Sequence, residues 1–234
     1  MINLMLKEFK VGMRTMGLII IMFPVLQCIV TLYMAQESLN SINDVQILRG
    51  IVTNTLMYFP AMQIPMIATL LIQSVITEER KQKIIQVLFA NGISPQKLWR
   101  SKILTGMSVS YVLSTVGIFI GIMYVRIFYN IWIDVSPKTI LYLTVVIPIV
   151  SMVFVNIICL LMWLSKRGQF FIGFIPSLSY IVCMYMSILQ VKFNINIDDR
   201  IFACIIILIS IIGIYVCDII ARKVSKEYLV NIEA

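Results

Sequence analysis

The sequence predicts an all-α, polytopic membrane protein: six transmembrane helices, an interfacial amphipathic helix ahead of them, and a short cytoplasmic helix between the second and third. Three observations predict it. Hydrophobic residues make up 60% of the 234 residues, charged ones only 13%, and the mean hydropathy is +0.97. A soluble domain carries about 25% charge, and a water-soluble fold cannot hide so much apolar surface. The apolar residues also fall into six runs, each near the roughly 20 residues that a helix needs to cross a bilayer. Finally, the cations alternate between the loops in the way that sets membrane orientation.

Residues 1–16 form the interfacial element. At about 100° per residue, Ile2, Met5, Leu6, Phe9, Met13 and Met16 share one arc, and Asn3, Lys7, Lys10 and Arg14 gather opposite. Such a helix lies in the headgroup layer with its cations toward anionic lipid, so membrane lipid is an expected partner. Residues 17–234 form the six-helix region, with spans at 17–35, 55–77, 103–125, 139–165, 168–190 and 201–221. The first contains Pro24 and ends in Tyr-Met-Ala-Gln without a small-x-small cleavage site, so it is expected to stay attached rather than act as a signal peptide.

Orientation follows from the cations. The segments before span 1, between spans 2 and 3, between spans 4 and 5 and after span 6 hold 14 of the 19 Lys and Arg. The positive-inside rule therefore puts both termini and the loop at 78–102 in the cytoplasm, the chain being a multi-pass protein of the cytoplasmic (inner) membrane. The net charge of +8 belongs to these loops, and no nucleic-acid partner is expected.

Composition also excludes chemistry. The chain has no histidine, which removes histidine triads, histidine-ligated metals and histidine proton relays. Cys28, Cys159, Cys183, Cys204 and Cys217 lie singly in apolar runs, without the paired spacing of a zinc or redox site, so neither a metal nor a catalytic residue is expected. No phosphate-binding G-x-x-x-x-G-K-[ST] loop occurs, so no cofactor is expected on this chain. Glu78-Glu79 invites comparison with double-glutamate intramembrane proteases, but their motif continues to an Arg where this chain has Lys83, and it needs histidines.

Pro60 and Pro65 fall inside span 2 and free backbone carbonyls there, which makes that span a candidate lining of a cavity. The spans otherwise carry neutral polar groups such as Gln27, Gln63, Gln73, Ser110, Ser114, Thr115 and Asn156, with charge only at Asp218 and Arg126 near their ends. An ion pathway would need intramembrane charge, so the expected cargo is hydrophobic or amphipathic. Met57, Tyr58, Met62, Gln63, Met66 and Met184 are the candidate contacts along its path, methionine being adaptable, although methionine at helical spacing also serves simply to fill a core.

The loop at 77–102, TEERKQKIIQVLFANGISPQKLWRSK, is the most ordered signal in the chain. Thr77 is placed to cap a helix with Glu78 and Glu79 in its first turn and Ile84, Ile85, Val87, Leu88 and Phe89 as its apolar body. Asn91-Gly92 stops that helix, and Ser94-Pro95 starts a second one running through Trp99 into span 3. A short rigid helix at the cytoplasmic surface can dock in a groove of a separate soluble protein. From periodicity and charge alone, a loop lying on lipid is equally compatible, since Lys81, Lys83, Lys97, Arg100 and Lys102 would bind anionic headgroups.

This segment resembles the loop of the ABC-2 type permeases, the transmembrane subunits of ATP-binding cassette exporters. Glu79, Arg80, Val87, Leu88, Ala90, Ser94, Leu98 and Lys102 stand where members carry a Glu-Lys/Arg element, a Leu-rich turn, a small-residue turn ending in Ser, and a Lys entering span 3. Many members have Gly-Thr where this chain has Lys83-Ile84, and a proline where it has Gly92. The resemblance implies a coupling helix within 78–102, with Glu78, Glu79, Arg80, Lys81, Lys83, Val87 and Leu88 as the ATPase-coupling residues. It further implies a pair of ATPase subunits holding ATP and Mg2+, a second permease chain, identical or related, and export. The alternative compatible with the same sequence is a non-transporting binding or immunity protein that sequesters a peptide.

Overall fold

The computed structural model describes residues 2–14, 17, 22, 45–129, 137–164, 199–224 and 229. Among them the chain is helical and forms no strand. We label the helices α1 (2–14), α2 (Val45–Lys81), α3 (Ile84–Ala90), α4 (Pro95–Tyr129), α5 (Pro137–Leu141), α6 (Ile147–Leu164) and α7 (Asp199–Lys223).

Four stretches are long and apolar enough to cross a membrane: Pro60–Lys81, Pro95–Ile127, Tyr142–Leu164 and Ala203–Lys223. They coincide with the expected spans 2, 3, 4 and 6. The expected spans at 17–35 and 168–190 lie outside the described residues, apart from residues 17 and 22, as do the ends of both termini.

The helix α2 is the centre of the bundle, packed on α4 and α6, with α7 against α6 and α4. Helices α2 and α4 run antiparallel and pack tightly at Gly106, where an added Cβ would stand 3.0 Å from Ile72 Cδ1 and 3.4 Å from the Ala68 carbonyl. The side of α4 away from α2 carries Val112, Val116, Phe119, Met123 and Ile127, all exposed, and α7 is the least covered of the four. In a bilayer such apolar surface is stable against lipid, whereas in water it would drive aggregation.

Proline is absorbed in two ways. Pro60 and Pro65 sit within an uninterrupted α2, and Pro65 supplies the carbonyl that accepts the Thr69 hydroxyl at 2.5 Å. Ahead of Pro148 the chain instead widens into a π-turn over Tyr142–Val146, which joins α5 to α6 with the Ile147 N–H donating to the Tyr142 carbonyl. A proline ring clashes with the carbonyl four residues back, and the extra residue in a π-turn makes room for it. Several hydroxyls elsewhere in the spans donate to their own helix, as Ser74 does to Leu71, Ser110 to Met107 and Thr115 to Tyr111. That is how polar side chains are satisfied where water is excluded.

The sequence-based start of the loop helix is corrected. No helix begins at Thr77, because α2 continues through Thr77, Glu78 and Glu79 to Lys81. The Gln82 N–H still bonds the Glu78 carbonyl at 3.0 Å, and the turn then tightens to Lys83 N–H on the Arg80 carbonyl at 3.2 Å. An uninterrupted helix keeps more backbone hydrogen bonds than a cap at Thr77 would. The later punctuation is as expected from Asn91-Gly92 and Ser94-Pro95.

A bulkier residue at the α2–α4 contact should force these helices apart. Gly106→Leu is expected to cost about 1–3 kcal/mol through overpacking, measured by thermal unfolding in detergent, with Gly106→Ala costing far less because the nearest atoms belong to the end of the Ile72 side chain.

Candidate functional site

Three residues break the chain between α2 and α4 and fix where α3 sits. Lys83 adopts a left-handed backbone, φ 52°, the one non-glycine residue to do so among those described. Gly92, φ 78°, closes α3 with a pair of reverse bonds: Gly92 N–H to the Phe89 carbonyl and Ile93 N–H to the Leu88 carbonyl, both at 3.1 Å. Glycine makes this turn without a Cβ clash, and the contact between residues like Leu88 and Ile93 accompanies it. Ser94 then caps α4, its Oγ accepting the Lys97 N–H at 3.3 Å.

The result is a seven-residue helix bolted to the bundle. Ile85 and Phe89 are buried against Leu98, Trp99, Trp163 and Leu229, with Leu88 and Ile93 half-buried beside them. What α3 leaves outside is small or polar: Gln86, Ala90 and Asn91, with Val87 (58% exposed) as its one large exposed hydrophobic residue. Exposed Lys81 and Lys83 precede this patch, and exposed Lys97 and Arg100 follow it.

Glu79 and Arg80, expected on the docking surface, turn inward instead. The Glu79 carboxylate is 1% exposed and binds two ammonium groups, Lys102 at 2.5 Å and Lys7 at 3.3 Å. Lys102 is itself 1% exposed and also lies 3.5 Å from Glu8, which accepts a hydrogen bond from the Ser101 hydroxyl at 2.7 Å. One buried cluster thus joins α1, α2 and α4. Burial pushes the Glu8 carboxyl above its usual range; the Glu79 carboxylate acts the same way, and Lys102 and Ser101 pull back without cancelling it.

Arg80 donates from Nη2 to the Met162 carbonyl at 2.8 Å. That oxygen is among the last four carbonyls of α6, which have no partner within the helix and sit at its negative end. Arg80 therefore ties the end of α2 to the end of α6. A second tie joins α4 to α7: Arg100 grips both oxygens of Asp218 at 2.9 and 3.0 Å, Gln96 reaches the same carboxylate at 3.2 Å, and Arg222 joins it at 2.8 Å. Glu78 stays at the edge and accepts from Gln82 one turn on.

Along the suggested cargo path, Gln63 is buried in α2, and Met62 and Met66 are half-buried. Met57 and Tyr58 belong to α2, and Met184 lies outside the described residues. Sequence reasoning missed Glu8. The signal was present: it is the one acid in a segment otherwise carrying only cations, and it sits between the apolar and basic arcs of α1, on the face that meets the bundle at Gly12, which packs on Leu71.

Among the described residues no group of three or more His, Cys, Asp or Glu is placed to hold a metal. No protein-family model, curated protein or solved structure matches the chain.

Two outcomes follow from this geometry. Glu79→Ala leaves Lys102 buried with one distant carboxylate and should cost about 3–5 kcal/mol, against less than about 0.5 kcal/mol for Lys81→Ala on the surface; thermal unfolding of the two variants in detergent measures the difference. Lys83→Gly relieves the left-handed backbone and should stabilise by about 1 kcal/mol, read by the same melt.

Proposed function

We propose that this chain is the membrane-spanning permease subunit of an ATP-binding cassette exporter of the ABC-2 type, with α3 as the helix on which a separate ATPase subunit docks. The outward face of α3 carries this reading. A helix lying on lipid sinks its large apolar side chains into the acyl boundary, and α1 has that character, since Ile2, Leu6 and Phe9 are exposed beside exposed Lys10 and Arg14. α3 is the reverse. It spends Ile85 and Phe89 on the bundle and offers a small apolar knob among cations, a surface made for the groove of another protein.

The left-handed Lys83 adds support, because it stands where many permeases of this type carry glycine. The inward ties of Glu79 and Arg80 fit the same role from behind: a helix that is to pass on a push must be braced against the spans, and these two side chains brace it on α4, α1 and α6.

Six crossings with both termini inside also remain our reading. The helix α1 meets the bundle at its basic end and α2 arrives there after 37 residues, about 55 Å of helix. Likewise α6 finishes at that end, where Met162 meets Arg80, and α7 arrives there with Asp218. Both α2 and α7 thus reach the basic end from the opposite one, as the second and sixth of six crossings would. The basic end is the cytoplasmic one by the positive-inside rule. ATP and Mg2+ would be held by the partner pair, a second permease chain would complete the pathway, and a hydrophobic or amphipathic cargo, such as a peptide, lipid-like molecule or drug, would pass along α2 near Met62, Gln63 and Met66.

The experiment is co-expression with a candidate ATPase subunit of an ATP-binding cassette exporter. Val87→Asp combined with Lys83→Glu is expected to lower ATPase co-purification at least tenfold while leaving the thermal midpoint of the chain within a few degrees. Undiminished association, or a chain that binds peptide tightly with no nucleotide-hydrolysing partner, would rule against a docking role for α3.

A further inference from the structure

The buried cluster contains an imbalance. Among the described residues three of its groups are sealed from solvent, Glu8, Glu79 and Lys102, each 1% exposed. Two are carboxylates and one is an ammonium. The fourth group, Lys7, reaches Glu79 at 3.3 Å, but its side chain is 32% exposed and much of its charge is screened by water. Cys159, the group of α6 that faces the cluster, is a thiol and brings no positive charge.

Lys102 does not divide itself evenly. It stands 2.5 Å from Glu79 and 3.5 Å from Glu8, so Glu79 takes most of its charge. Glu8 Oε1 is engaged by Ser101 at 2.7 Å and, more distantly, by Lys102. Glu8 Oε2 is buried and has no hydrogen-bond partner among the described residues. A carboxylate oxygen so enclosed is far costlier to keep charged than neutral.

We propose that Glu8 Oε2 is a proton-binding site, and that occupancy of this site sets how firmly α1 is held to α2 and α4. With the proton bound, the sealed groups sum to zero charge and α1 docks without an uncompensated ion. Without it, one negative charge is stranded at the seam. Both Glu8 and Lys7 travel with α1, so α1 is the element that relieves the strain by lifting away. The sign follows from linkage. Burial raises the proton affinity of Glu8 in the folded protein above that of the unfolded chain. Stability is therefore full at acid pH and is lost as pH rises from the ordinary carboxylate range through the raised value. This site is independent of whether the chain serves a transporter.

Infrared difference spectroscopy of the full chain in lipid nanodiscs, titrated with acid and base, tests it. A protonated-carboxyl band should persist at neutral pH in the wild type and be absent from Glu8→Gln. Glu79→Gln frees Lys102 for Glu8 and should weaken its proton affinity at least tenfold, an effect that a purely structural role would not produce. The wild-type thermal midpoint should fall as pH rises through the titration of the band, with a flat profile in Glu8→Gln. A wild type with no such band at neutral pH, a band that survives Glu8→Gln, or an affinity unmoved by Glu79→Gln would each overturn the proposal. Should Glu8→Gln not fold, the wild type and Glu79→Gln decide it alone.

Discussion

An ammonium group cannot be sealed inside an apolar bundle unless carboxylates are sealed with it, and Lys102 is sealed. That requirement holds the basic end of this protein together. Glu79 satisfies it from the last turns of α2, with Glu8 of α1 beside it, while Lys7 reaches Glu79 from the exposed edge. Each partner comes from a different helix, so the cluster can form only when α1, α2 and α4 are in their final places. A buried ion network adds little stability over well-packed apolar groups, but breaking it is expensive, which makes it a device for fixing an arrangement.

The position of α3 depends on that arrangement. Four residues, ending in the tight turn at Lys83, separate it from Glu79 on one side, and α4 resumes at Pro95 on the other. Its own seven residues would not hold a helix in water. It is stable because Ile85 and Phe89 enter the core beside Trp99 and Trp163, and because α2 and α4 are clamped to each other directly beneath it. Arg80 on the end of α6 and Arg100 on Asp218 of α7 extend the clamp to the other helices. A force applied to α3 from outside thus meets no soft element before it reaches α2, α4, α6 and α7. Rigidity of this kind is what the docking role proposed for α3 would require.

The same chain shows two ways for a short helix to sit against the bundle. α1 meets the bundle along a narrow strip through Glu8 and Gly12 and leaves its large apolar side chains out, where lipid can take them. α3 puts Ile85 and Phe89 into protein and leaves Gln86, Val87 and Ala90 out, with cations flanking it in the chain. The direction in which the larger apolar side chains point is opposite in the two helices, and with it the kind of surface that each can meet.

Sequence alone determined what depends on composition and local chemistry. The apolar runs around 60–81, 103–125, 142–164 and 203–221 had to be helices, because a backbone in hydrocarbon must satisfy its own hydrogen bonds. Gly92 suited the end of α3, because it takes a positive φ without a Cβ clash, and Ser94-Pro95 suited the start of α4, because the serine caps the first turn and the proline presets its φ. Only the tertiary structure decided which way the charges of the loop face. Glu79 and Arg80 look in sequence like neighbours of Lys81 and Lys83 on one solvated surface, yet a helix separates successive residues by about 100°, and with α2 unbroken through Thr77 these two fall on its inner side. Glu8 became the third member of the site for the same reason. Its partners lie some seventy and ninety residues away, and no local rule of spacing or propensity carries information over that distance.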